Sequence, residues 1–563
     1  MLTFRSARRV VLLGLSLLSA CAAADPSIGS AQQSDRYRHT GAYGNFLAGR
    51  YALSQGDSNT AATDLIRALA ANPAEQDVAQ QALLASVSAG RPEAGSIARL
   101  LPDNQIAQLV LGNDDAKAGR WQAAERRFHA LPRQGLIQLL QPLLIAWAQH
   151  GDGRTDAALA TLRPFIENPN LRGLFSLHAA MIADLADRTD DAGRYYRIAQ
   201  GESSEMNLRL AEILASWHGR AGRSVEVQRI FGDIARVAPE TTIAMPALVG
   251  AAGRRVVTRA ADGIAEGYIA LASALRAQDS NDFAALMIRL ALDLRPDMTT
   301  ARILGAEIHS VRKQPEQALL LLNSVADSDP LGAVVRMRRA ALTERVGKTD
   351  DAIRELQRAA RDYPESPMPD TNLGDLLRSK QQYAEAIEAY DRAVARIRQP
   401  VQADWLIYYN RGVALERSNQ WARAEADFHR ALELSPDQPF VLNYLGYSWA
   451  DMGRNLDQAM AMIEKAAIRR PNDGAILDSL GWVLFRQGAA AKAVRILERA
   501  VELEPEDPTI TSHLGDVYWA VGRKIEAQYQ WRRALTLNPP KEDVAKIEAK
   551  LISGPISPVV SGQ

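Results

Sequence analysis

The chain has 563 residues, its 66 Lys and Arg balance its 66 Asp and Glu, and it carries a single cysteine, Cys21. That length exceeds one compact core of ordinary size. The zero net charge removes any electrostatic reason to expect nucleic acid as a ligand, and a lone cysteine excludes an internal disulfide. Hydrophobic residues make up 47% of the chain but aromatics only 6%. Much of the apolar content is Ala and Leu, which favours an all-α fold.

In chain order, the first segment has the layout of an export signal. Arg5, Arg8 and Arg9 form a basic start, residues 10–18 a short apolar run, and residues 19–24 a stretch of small residues. The apolar run falls short of the roughly 20 residues a permanent membrane helix needs. The junction Leu18-Ser19-Ala20-Cys21 resembles the bacterial lipobox. The resemblance implies a lipoprotein signal peptide over 1–20 and lipidation of Cys21. Ordinary cleavage after Ala24, using Ala22 and Ala24 as the small pair, is the alternative. Because Ala22 and not Asp follows the cysteine, the resemblance also implies an outer-membrane anchor facing the periplasm. Ordinary cleavage would instead leave a soluble periplasmic protein. Anchoring is stable only with more than one acyl chain. Residues 21–40 are small and polar and read as a flexible tether.

Residues 41–239 read as degenerate helical repeats. Gly49, Gly56, Ala61, Leu65, Ala68 and Pro73 set a register. The same register returns at Gly112, Gly119, Ala124 and Phe128, and at Ala146, Gly153, Ala158 and Leu162. Ala180, Ala192, Tyr196 and Ala199 follow without a turn glycine, then Ala215, Gly222, Phe231 and Pro239. Residues 75–106 are helical in pattern but poor in signature. Residues 240–264, with Pro246, Gly250, Gly253 and the Arg254–Arg255 pair, read as an irregular junction between two arrays, with a disordered insertion as the alternative.

From 265 to 539 the period is plain. Pro296, Pro330 and Pro364 are 34 residues apart, and Pro436, Pro471, Pro505 and Pro539 follow at intervals of 35, 34 and 34. The interval closing at Pro505 holds Leu480-Gly481, Leu484, Gly488, Ala493, Leu497 and Ala500, and the one closing at Pro539 holds Leu514-Gly515, Tyr518, Gly522, Ala527, Trp531 and Ala534. Small residues at the eighth, twentieth and twenty-seventh positions let two antiparallel helices approach, and large ones at the seventh, eleventh and twenty-fourth fill the space left. The recurring glycine suits a left-handed residue ending the first helix, and the proline stops the second. This pattern resembles the tetratricopeptide repeat. The resemblance implies a right-handed α-solenoid of helix-turn-helix units, with about eight regular repeats over 265–539. Residues 540–552 then read as a capping helix and 553–563 as a disordered tail.

No metal-ligand spacing, phosphate-cradling glycine loop or nucleophile elbow occurs. The eight histidines, at 39, 129, 150, 178, 218, 309, 429 and 513, are scattered and read as surface or packed residues. Neither an enzyme activity, a cofactor nor a small-molecule substrate is expected. In the resembled family, the first helix of each repeat lines a concave groove through its second, fifth, ninth and twelfth positions. Carried onto this chain, those positions include Tyr409, Asn443, Tyr447, Asp478, Trp482, Phe485, Asp516 and Trp519. Such a lane of rings with a few acids and amides suits extended or helical peptide segments of other proteins. Of the Lys/Asn/Arg clamp with which some relatives grip a carboxyl terminus, only Asn443 has a counterpart, which argues against capture of that kind. The stretches NYLGYSWAD, ILDSLGWVLFRQG and HLGDVYWAVGR resemble the C-terminal repeats of proteobacterial tetratricopeptide lipoproteins. That resemblance implies an envelope adaptor, for example one bringing a processing protease to cell-wall hydrolases. A component of an exopolysaccharide-secretion or outer-membrane assembly machine is the alternative.

Overall fold

Helix formation is favoured along the chain by its frequent Ala, Leu, Glu and Arg. The computed structural model describes residues 41–554, apart from 133, 134, 136 and 203–205. The expected signal segment, Cys21, its tether and most of the C-terminal tail lie outside the described residues. Among those described there are thirty α-helices and two 3-10 helices, with no strand. None of these helices is long and apolar enough to cross a membrane. Consecutive helices pair along the chain, each packing chiefly on its sequence neighbours, as repeats that cannot bury their apolar face alone must do. The described residues divide into two compact units, which part between Arg154 and Thr155.

In the first unit, the helix Ala42–Ser54 pairs with Ser58–Ala71, and Gln105–Lys117 with Trp121–His129. The approach is closest where Gly49 faces Leu65: a Cβ there would lie 2.6 Å from Leu65 Cγ, and one on Gly112 would collide with the Phe128 ring. Between these pairs, the poorly marked stretch 75–106 forms the helix Gln76–Ala89 and a second helix of only five residues, Ala94–Ala98.

The second unit repeats the device with greater regularity. The first helices Met368–Ser379, Trp405–Arg417, Pro439–Asp451, Gly474–Arg486 and Pro508–Ala520 pair with second helices Tyr383–Arg396, Trp421–Leu434, Leu456–Arg469, Ala490–Leu503 and Lys524–Thr536. A Cβ on Gly481 would lie 2.5 Å from Leu497 Cγ, on Gly515 2.5 Å from the Trp531 indole, and on Gly374 2.7 Å from the Tyr390 ring. The first helix commonly ends on a left-handed residue, such as Gly488 at φ 80°. Where glycine is missing from that place, Asp187, Gln381 and Asn419 adopt the same conformation at φ 56° to 60°, against the steric preference of side chains with a Cβ. The repeat is therefore complete at 187 although its turn glycine is absent.

Residues 240–264 are more ordered than the reading as an irregular junction allows. They contain the 3-10 helix Pro239–Ala244, the helix Met245–Ala251 and the start of the 18-residue helix Ala260–Ala277. Pro246 lies in the first turn of the helix Met245–Ala251, residues 252–259 form turns and coil, and the contact boundary of the chain falls at 154/155. Two ion contacts secure the stretch. Arg338 donates to Glu240 at 3.0 Å. The Asp262 carboxylate accepts from the Thr258 and Arg259 backbone N–H groups, each at 3.0 Å, and caps the long helix. Further along that helix, Glu266, 4% exposed, is gripped by Arg209 of the helix Leu208–Arg220, and Arg209 also donates to Glu212 at 2.7 Å.

Two outcomes follow from this packing. Gly481→Leu overpacks the pair and lowers stability by about 1–3 kcal/mol, read as a lower thermal midpoint; an unchanged midpoint refutes the packing. Glu266→Ala leaves the Arg209 guanidinium with Glu212 alone and costs about 1.5–3 kcal/mol in urea unfolding; an unchanged midpoint refutes the contact.

Candidate functional site

The first helices of the repeats between 405 and 520 bring together a set of rings, because the period returns each helix to the same face. Tyr409 is half-buried and edge-on to Tyr444, with centroids 5.9 Å apart at 90°. Tyr447 lies 6.4 Å from the His513 ring. Trp482 stacks on His513 at 4.1 Å and 18°. Trp519 tilts against Trp531 at 5.5 Å, with the Lys524 ammonium 5.1 Å from its ring. These four rings are half-buried; Tyr409 also lies 5.9 Å from the Trp405 ring and 6.1 Å from Phe428, and Trp482 lies 5.2 Å from Phe485. Two polar atoms on the same helices have no hydrogen-bond partner, Asn443 Oδ1 and Trp482 Nε1.

The other three expected groove residues face inward. Asp478 is 5% exposed and accepts from His513 Nδ1, with both carboxylate oxygens at 2.9 Å. Asp516, 3% exposed, accepts from Trp531 Nε1 at 2.9 Å and from Lys550 Nζ at 2.6 Å. Phe485 is buried in the core cluster with Leu497 and Leu514. The reason is stacking: the next first helix covers Asp478, and the final helix, Lys541–Ser553, covers Asp516. These three residues brace the ring lane and are not free to contact a ligand.

His513 and Lys550 were not singled out from sequence, yet a signal existed. His513 stands 35 residues after Asp478 and Lys550 stands 34 after Asp516, one repeat later in nearly the same register. Asn410 and Asp375, bonded at 2.8 Å, are likewise 35 apart. Opposite charges or donor–acceptor pairs separated by one period are candidate contacts between neighbouring first helices.

Electrostatics follow burial. Burial, then the Asp451 and Asp478 carboxylates, raises the Tyr447 phenol above its usual range, and Asp543 of the final helix adds to this. Burial works against charge on His513, but the Asp478 contact overcomes it, and the imidazole pKa is raised. Far from this site, burial pushes His178 down to about 4. Among the described residues no cluster of three or more His, Cys, Asp and Glu could hold a metal ion.

A cavity of about 820 Å³ opens in the second unit between the ends of two first helices and the start of the final helix. Arg378, Tyr383, Val413 and Arg417 line one side, and Asn538, Pro540, Lys541 and Glu542 the other. None of these was expected from sequence, because the two walls are more than a hundred residues apart in the chain.

A folded-state His513 pKa above the unfolded value stabilises the protein fully below about pH 6.5 and loses that contribution as pH rises through the folded value. His513→Gln is therefore expected to lower the urea midpoint, by more at about pH 5.5 than at about pH 9. A gap that is constant with pH refutes a charged His513–Asp478 pair. Comparison with the variant cancels the opposite acid sensitivity of His178.

Models of the tetratricopeptide repeat match residues 339–402, 405–438, 445–508 and 479–542. A TPR repeat-containing protein of Pseudomonas aeruginosa is 31% identical over 161 residues, covering 28% of this chain and 27% of that protein. The chain thus spans just over a quarter of the length of that curated relative. Among solved structures, a tetratricopeptide repeat protein from Parabacteroides merdae is 16% identical, covering 45% of this chain and 99% of its own at a TM-score of 0.37. The Cut9–Hcn1 hetero-tetramer is 14% identical, covering 86% of this chain and 98% of its own, also at 0.37. The sequence matches and the repeating helix pairs agree: this chain contains tetratricopeptide repeats between residues 339 and 542.

Proposed function

We propose that the chain is a non-catalytic scaffold that binds segments of partner proteins along the first-helix face of residues 405–520, in the bacterial cell envelope. The observation that carries this reading is the set of four half-buried rings, Tyr409, Tyr447, Trp482 and Trp519, each held in orientation by neighbouring rings. Aromatic rings fixed in this way offer large contact area at little cost in conformational entropy. The lipobox-like residues ending in Cys21 support tethering to the outer membrane. The adaptor arrangement, a processing protease brought to cell-wall hydrolases, is the specific form we favour.

Pull-down of the tagged chain from detergent-solubilised envelopes tests this. A protease recovered with hydrolases supports the adaptor, whereas polymer-export or outer-membrane assembly proteins point to a machine component. Trp482→Ala is expected to weaken capture of the recovered partner by at least about tenfold, as loss of a central aromatic anchor does; unchanged capture removes the ring lane from the binding surface. Cys21→Ala is expected to release the chain from the membrane fraction.

A further inference from the structure

The cavity of about 820 Å³ beside the ring lane has a definite charge. Arg378 ends the helix Met368–Ser379, Arg417 ends the helix Trp405–Arg417, and Lys541 opens the final helix, so three cations line it against the single acid Glu542. Two further carboxylates stand beside the arginines, Asp375 near Arg378 and Glu416 near Arg417, each also held by neutral donors. Asp375 accepts from Tyr390 Oη at 2.6 Å and from Asn410 at 2.8 Å, and Glu416, 3.5 Å from Arg417, accepts from Tyr444 Oη at 3.0 Å. Arg417 remains 57% exposed on its side chain, and Lys541 makes no ion pair among the described residues. Tyr383 and Val413 add an apolar wall, and Pro540 limits the freedom of the opposite one. The volume lies within the range of sites that enclose a ligand of drug or short-peptide size.

We infer that this cavity binds an acidic segment of a partner polypeptide, with side-chain carboxylates of two or more Asp or Glu residues paired to Arg417, Arg378 and Lys541. This rests on the scaffold reading and specifies the partner's chemistry. Lys541 has no ion pair among the described residues and Arg417, 57% exposed, meets Glu416 only at 3.5 Å, so cations on both walls can each take a carboxylate, and a segment with several acids fits better than a lone chain terminus. The arginine forks sit on consecutive repeats and Lys541 on the opposite wall, which matches separated monoanionic carboxylates more closely than a single compact dianion. Guanidinium–carboxylate pairs are charge-assisted and can be bidentate, so they supply both affinity and register.

The test uses the full chain and a fluorescein-labelled, C-terminally amidated peptide of alternating Glu and Gly, followed by anisotropy. Binding is expected at low salt and should weaken steeply between about 0.05 M and 0.5 M NaCl, as screening requires. Lys541→Glu and Arg417→Gln should each weaken it by about tenfold or more, the scale of a lost charge-assisted pair. Arg499→Glu, a surface change at a residue paired with Glu502, should leave it unchanged. Circular dichroism melts establish that each variant is folded, and Lys541→Gln replaces any that is not. No binding of the acidic peptide, equal binding by all variants, or preference for a phosphoserine peptide or inorganic phosphate overturns the proposal. Envelope partners retained undiminished by Lys541→Glu defeat the cavity and leave the scaffold standing. No partner recovered by the native chain defeats the scaffold reading, and the peptide titration still decides the cavity's chemistry.

Discussion

The close approach of two antiparallel helices at one small residue is the constraint on which the repeats depend. Where Gly481 faces Leu497, or Gly515 the Trp531 indole, not even a methyl group fits. The large residue opposite is then completely buried: Leu497, Phe428, Tyr390 and Trp531 have no measurable exposure. The absence of one side chain therefore makes room for another, and this trade sets the distance between helices. It also holds in the first unit, at Gly49 with Leu65 and Gly112 with Phe128.

From that spacing comes the geometry of the binding face. Helix pairs of constant separation return each first helix to nearly the same register after 34 or 35 residues. Polar groups one period apart then meet, as Asp478 meets His513, Asp516 meets Lys550 and Asp375 meets Asn410. These contacts are buried and tie neighbouring repeats to each other; in doing so they withdraw the acids of the lane from any ligand. What remains available are the rings, each braced by the group that took its neighbouring carboxylate. The His513 imidazole shows the coupling most directly, since it both binds Asp478 and stacks on Trp482. A substitution at a buried ion contact should therefore be felt in the orientation of an aromatic surface.

The cation-lined cavity depends on a longer-range consequence of the same regularity. Arg378 and Arg417 lie at equivalent ends of successive first helices, so a small rotation per repeat carries them onto one side. The final helix, stepping on from the last repeat past Asn538 and the rigid Pro539–Pro540 pair, places Lys541 opposite. Asp543 reaching the field of Tyr447, three repeats upstream, is the electrostatic trace of the same placement. The rings and the cations thus form two different kinds of surface within one unit, one apolar and oriented, the other charged and recessed.

Much of this was legible in the chain itself. Period, helix class, the identity of the small and large packing residues and the face that carries Tyr409, Tyr447, Trp482 and Trp519 all follow from local spacing, because side-chain direction in a helix is set by residue number. Local pattern was less informative where tertiary contact substituted for a missing signal: Asp187 takes a left-handed turn without glycine, and residues 240–264 fold into helices despite their composition. The fate of the acids could not be read from any single repeat. Whether Asp478 and Asp516 face a ligand or a neighbour depends on which helix stacks over them, and that is decided by the superposition of one repeat on the next. The meeting of Arg378 and Arg417 with Lys541 likewise required rotations accumulated over several repeats, a quantity that no local sequence carries and that only the folded chain determines.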